Sequence, residues 1–148
     1  MSKFVTKRIT VVEGRQEFRQ LIIVSDDVDI ERLQTQIDDE EMNNREVETP
    51  GQLDLYEDGL EKIYESSFAR IVGNMNRVAN GVSVPKEKFK DVTERKSLVT
   101  EYEYKYGDLR GWAIKIPNGQ LFILGGYKNN QKKGFREFRS LVEQYLNQ

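Results

Sequence analysis

Leu109-Arg110-Gly111-Trp112-Ala113-Ile114-Lys115-Ile116, then Pro117-Asn118-Gly119-Gln120, then Leu121-Phe122-Ile123-Leu124-Gly125-Gly126: this stretch decides the fold. Two apolar runs flank an Asn-Gly pair, and Asn-Gly supplies the positive φ angles of a tight hairpin turn. The first run reads as a strand. The second is wholly apolar from Leu121 to Leu124 and reads as a central strand that Gly125-Gly126 ends. Upstream, Leu98, Thr100, Tyr102, Tyr104 and Tyr106 alternate with mostly charged residues, which predicts a half-buried strand over 97–106. Downstream, Phe135, Phe138, Leu141, Val142, Tyr145 and Leu146 share one face of a closing helix over about 135–146. The result is an antiparallel three-stranded meander followed by a C-terminal helix.

Before the meander, apolar residues recur in steps of three and four from Leu53 through Tyr56, Leu60, Phe68, Ile71 and Met75 to Val78. That spacing predicts one long helix over 53–79, stopping near Asn80-Gly81. Residues 3–12 and 18–24 are rich in β-branched and apolar side chains around Glu13-Gly14-Arg15, and predict a hairpin. Ser25 or Asp26 is placed to cap a short helix over 28–40, with Val28, Leu33 and Ile37 nearly on one face. Residues 38–52 read as a loop, and Val84 to Lys90 as an extended basic connector. The fold class is α+β: an N-terminal hairpin and helices, then the antiparallel meander and the last helix. The 148 residues suit a single domain, with 1–52 as an N-terminal extension and 53–148 as the core.

Composition removes several kinds of chemistry. The chain has no cysteine and no histidine, so a disulfide framework, a thiolate nucleophile and an imidazole base are excluded. Any metal ion would have to be a hard cation held by carboxylates, and no carboxylate pair stands out for one, so neither a metal nor a cofactor is expected. No apolar run approaches the 18 or so residues of a membrane helix. Met1-Ser2-Lys3-Phe4 leads into a mixed polar stretch without a signal-peptide core, so a cytoplasmic protein with no membrane partner is expected. The net charge of −2 conceals a division. Residues 25–65 carry 15 acids against three bases, a net of −12, and residues 85–148 carry 13 bases against 8 acids, a net of +5. The acidic block is either a solvated helix face and loop or a cover for the basic half, acting as a built-in phosphate mimic.

There is no Gly-x-x-x-x-Gly-Lys phosphate loop and no Gly-x-Ser-x-Gly elbow, and Gly125-Gly126 lacks the third glycine of a dinucleotide site. What remains is a concentration of bases. Arg110 sits on the Trp112 and Ile114 side of its strand, where a cation among apolar neighbours needs an anionic partner. Lys128, Lys132, Lys133 and Arg136 follow the apolar strand, and Lys88-Phe89-Lys90 precedes the meander.

The order Lys88-Phe89-Lys90, Leu109-Arg110, Gly125-Gly126-Tyr127-Lys128 and Gln131-Lys132, after a long helix, resembles the RelE/ParE-type toxins of bacterial toxin–antitoxin modules. The likeness is to their HigB-like, phage-derived subgroup and covers about residues 53–146. It implies a ribosome-dependent mRNA interferase, a metal-independent endoribonuclease in which a ribose 2′-OH attacks the adjacent phosphate. Its partners are RNA or the ribosome and a cognate antitoxin protein. By the resemblance Arg110 holds the scissile phosphate, Lys128 and Lys132 assist as further catalytic residues, and Lys88, Lys90, Lys115, Lys133 and Arg136 bind the nucleic acid. Two features depart from the family. Phe135 stands where a tyrosine or histidine is often found, and residues 25–65 are acidic where the family is usually basic.

Plainer assignments stand beside these. Arg110 pairs with Glu101 or Glu103 on the neighbouring strand, the lysines form a solvated loop, the tyrosines are a sheet face and Trp112 is core. A non-catalytic interaction domain on the same fold fits them, as does an unrelated role.

Overall fold

The computed structural model describes residues 3–148; Met1 and Ser2, which head the segment searched for a leader, lie outside the described residues. In chain order the elements are β1 (Lys3–Arg8), β2 (Glu17–Val24), α1 (Ile30–Met42), α2 (Gln52–Asp58), α3 (Glu65–Ala79), β3 (Phe89–Asp91), β4 (Glu101–Tyr106), β5 (Leu109–Ile116), β6 (Gly119–Tyr127) and α4 (Gln131–Leu146). Short 3-10 turns at Lys62–Tyr64 and Lys128–Asn130 precede α3 and α4. The fold is mixed α/β.

The sheet has six strands, not three, in the order β1-β2-β6-β5-β4-β3. Every neighbouring pair is antiparallel except β2 with β6, which is parallel. That one parallel pair joins the N-terminal hairpin to the meander in a single sheet. Gly119 makes it possible, because a Cβ there would lie 1.7 Å from the Glu17 carbonyl oxygen. The turn between β5 and β6 is centred on Pro117 and Asn118, one residue earlier than the Asn-Gly pair implies. Proline sets its own φ, Asn118 takes the left-handed φ of 64°, and Gly119 is left free for the close strand contact.

Several predicted elements shift. The helical spacing over 53–79 is interrupted: α2 ends at Gly59, and Glu61 is extended with ψ of 152° before the 3-10 turn. The capping residue of α1 is Asp29, whose side chain accepts from the Arg32 N–H, and the helix runs to Met42, two residues past the predicted end at 40 and into the stretch read as loop. The strand over 97–106 is confined to 101–106. β6 runs past Gly125-Gly126 to Tyr127, and the closing helix begins at Gln131, four residues early.

Helices cover both faces of the sheet. On one, Phe68, Ile71 and Met75 of α3 pack on Phe18, Tyr104, Leu109, Ala113 and Phe122. Ile37 of α1 continues that face on Val5 and Ile22. On the other, Phe138 and Val142 of α4 pack on Phe4, Leu21, Trp112, Ile114, Leu121 and Ile123.

No residue of the acidic block lines the basic cleft at the start of α4. The block's α1 part lies against β1, at the far edge of the sheet from β3 and β4, while α2 packs on β6 and β2, and Glu61 lines a shallow pocket together with Lys128; several of its acids have partners near β1 and β2. Glu41 bonds Arg19 at 3.1 Å, Asp39 bonds Arg45 at 3.2 Å, and Asp54 bonds Lys7 at 2.7 Å. Gln34 closes the exposed edge of β1 by bonding both the N–H and the C=O of Thr6.

Gln20 of β2 caps α2 from outside the helix. Its Oε1 accepts from the N–H groups of Leu53 and Asp54 at 2.9 and 3.1 Å. Gly51, with no side chain, cannot do this itself. Burial opposes the charge of Asp54, but the Gly51 N–H, the Lys7 ammonium and the Gln20 amide together outweigh it and hold the carboxyl below its usual range. A depressed carboxyl stabilises the fold above its unfolded pKa, and the contribution disappears as pH falls through the lowered folded value. Asp54→Asn is therefore expected to lower Tm at pH 7. Its deficit relative to wild type should shrink as the pH drops through and below the ordinary Asp range. A pH-independent deficit would mean that the charge is not what matters.

Candidate nucleic-acid cleft

The start of α4 crosses the sheet at a point where two glycines make room for an indole. Trp112 is fully buried, and a Cβ on Gly134 or Gly126 would come within 2.7 or 3.0 Å of its ring. Phe138 stacks on the ring at 6.3 Å between centroids, and Phe135 meets it edge-on at 6.3 Å. This packing fixes where the first turn of α4 lies, and so where its basic side chains emerge.

They emerge around a cleft of about 980 Å³ lined by Lys90, Lys128, Lys132, Lys133, Arg136 and Phe135, with Glu103 and Gln131 also on its walls. Lys90 arrives from β3, where it pairs in register with Glu103. Lys128 comes from the 3-10 turn, and Lys132, Lys133 and Arg136 from the first turns of α4. None of these five cations forms an ion pair with a described residue, whereas Lys7, Arg8, Arg19, Arg45 and Arg139 all do.

Behind the cleft runs a hydrogen-bonded chain. Arg110 Nε donates to Gln131 Oε1 at 3.2 Å, Gln131 Nε2 donates to Glu103 Oε2 at 3.2 Å, and Trp112 Nε1 donates to the same oxygen at 2.9 Å. The remaining carboxylate oxygen, Glu103 Oε1, is buried and has no hydrogen-bond partner. Arg110 is 7% exposed, and its Nη1 donates to the carbonyls of Gly107 at 2.8 Å and Leu109 at 2.7 Å. It reaches Glu103 only through Gln131, so the direct ion pair does not describe it, and its Nη2 has no hydrogen-bond partner among the described residues.

No family model, curated protein or solved structure matches this chain.

Of the eight residues singled out from sequence, the cleft gathers Lys90, Lys128, Lys132, Lys133 and Arg136, and Arg110 lies behind it. Two are elsewhere. Lys88 sits over the Tyr106 ring at 4.4 Å, with Arg70 also near that ring at 6.0 Å. Lys115 is exposed near the opposite end of β5, in register with Gln120. The tyrosines of β4 divide: Tyr104 is fully buried and bonds Gln120 at 2.8 Å, while Tyr102 and Tyr106 are partly covered. Sequence reasoning missed Glu103 and Gln131 as parts of the site. Gln131 was visible only as a letter of the Gln131-Lys132 motif, and Glu103 only as a possible partner for Arg110.

Among the described residues no three acidic side chains gather in a metal-binding arrangement, and no helix is long and apolar enough to cross a membrane.

Proposed function

We propose that this protein binds RNA through the cleft at the start of α4, as a toxin-like protein acting on RNA or the ribosome and neutralised by an antitoxin partner. The observation that supports it is the gathering of five cations, none ion-paired to a described residue, around one concave surface. Like charges brought together without counter-ions cost stability. A polyanion that neutralises them releases its own condensed counter-ions and gains affinity. Phe135, partly buried on the wall, offers aromatic surface to an unstacked base. In single-stranded RNA, unlike an A-form duplex, the bases and sugars are open to side chains on such a surface.

One observation favours a chain that binds without cutting. Arg110, which the resemblance to RelE/ParE-type toxins casts as the holder of the scissile phosphate, is mostly buried, with Nε and Nη1 engaged by Gln131 and two carbonyls and only Nη2 left to meet a ligand. It acts here as a positioning residue that orients Gln131.

The test is saturable binding of a short single-stranded RNA by the purified chain, with affinity falling linearly in log salt. No binding at about 50 mM salt, where electrostatic contacts are strong, would sink the proposal. Growth after induced expression separates the roles of Arg110. Wild type is expected to arrest growth. Arg110→Ala is expected to relieve the arrest only in proportion to lost folded protein. Full relief with undiminished folded protein would mean that Arg110 meets the phosphate itself.

A further inference from the structure

Glu103 poses a chemical question that the five cations do not answer. A carboxylate in a cleft that binds phosphate repels the ligand, yet this one is 3% exposed and built in from two sides. Its Oε2 is occupied by Trp112 and Gln131, while its Oε1 has no donor at all. A buried acceptor without a partner is costly, so a ligand that brings one donor to it gains a charge-assisted hydrogen bond. The donor has to come with a phosphate strand, since Lys90, Lys132 and Arg136 line the same walls. The sugar–phosphate backbone of DNA has no internal hydrogen-bond donor. That of RNA has one, the 2′-hydroxyl, beside the 3′-phosphate.

We propose that Glu103 makes this cleft select ribose: Oε1 accepts the hydrogen bond of a 2′-hydroxyl while the surrounding lysines hold the adjacent phosphates. Access runs past Gln131, the first residue of α4, whose side chain is held by two contacts of 3.2 Å, at the long end of hydrogen bonding. On this proposal the ligand displaces the Gln131 side chain to reach Oε1, and the Trp112 bond to Oε2 stays in place. The inference rests on the reading of the cleft as a nucleic-acid site.

The experiment compares four oligomers of one length on the whole chain: oligouridylate, its 2′-deoxy, its 2′-O-methyl and its 2′-fluoro forms. The base is the same in all, so base amino groups play no part. Oligouridylate is expected to bind roughly tenfold or more tighter than the other three, the size of one hydrogen bond to a charged group. In Glu103→Gln the amide oxygen stays with the Trp112 N–H, which leaves NH₂ in the place of Oε1. The preference should then fall to near unity, with the salt slope unchanged because no phosphate contact is lost. The quenching of Trp112, the one tryptophan of the chain, reports binding, and its emission in the free variant checks the fold. Equal affinity of wild type for all four oligomers overturns the inference and leaves the nucleic-acid reading standing. So does a preference that survives in folded Glu103→Gln. Absence of binding by any oligomer overturns both. Should Glu103→Gln fail to fold, the wild-type comparison decides alone.

Discussion

Trp112→Ala is expected to lower the unfolding free energy by about 4 kcal/mol, the range for emptying a large aromatic site in a packed core. The indole is fully buried and ties three parts of the fold together. It stacks on Phe138, so its loss opens a cavity beneath α4. It fits against Gly126 and Gly134, which have no side chains to fill the space it leaves. It also donates to Glu103 Oε2, whose other protein donor is Gln131. Leaving a buried carboxylate short of a donor adds about 1–3 kcal/mol. Domains of this size hold only about 5–15 kcal/mol in total, so the variant should be partly unfolded at 37 °C. Urea unfolding followed by far-UV circular dichroism measures the loss, since the fluorescent reporter goes with the mutation. Trp112→Phe separates the contributions: it keeps most of the ring and loses the N–H, so it should cost roughly the hydrogen-bond part alone. A loss below about 1.5 kcal/mol in Trp112→Ala, the scale of a volume-conserving swap, would show that α4 does not depend on this contact.

The importance of Trp112 as core was legible in the sequence, but its reason was not. The alternation along β4 put tyrosines on one face and charges on the other, and a strand with one wet face would turn its charges outward. Period two tells which side chains share a face, not which face is covered. Here α4 covers the charged face, leaving Glu101 fully buried and Glu103 nearly so. Glu101 meets Arg139 of α4 at 2.9 Å, a partner 38 residues away that no local pattern announces. The parallel pairing of β2 with β6 was hidden for the same reason, because it joins segments about 100 residues apart in sequence. Gly119 carries its only sequence trace, and a glycine after asparagine reads first as turn chemistry. The cations of the cleft were legible because four of the five lie within 128–136, on one turn and the helix it leads into. Lys88 and Lys90 were indistinguishable by composition. Strand register sends Lys90 to the Glu103 side, and ring contact holds Lys88 at Tyr106.

Replacing Lys128, Lys132, Lys133 and Arg136 together by alanine is expected to abolish most RNA binding while sparing the fold. All four are exposed and none makes an ion pair with a described residue, so their removal takes no packing and no salt bridge with it. Each phosphate contact on a single strand contributes about 0.7 to the slope of log affinity against log salt. Losing four lowers that slope by about 3, which at roughly 0.1 M salt is a loss of several hundredfold. Near 1 M salt, where screening acts over about 3 Å, the two proteins should bind almost equally. That convergence distinguishes lost phosphate contacts from a damaged site, which would remain weaker at every salt concentration. Tm should hold or rise slightly, because four mutually repelling charges have been removed. The same variant should also lose any growth arrest produced by wild type. Retained arrest beside lost RNA binding would move the toxic action away from the cleft, to a protein contact elsewhere on the surface. Undiminished RNA affinity would leave the five-cation cleft without a function.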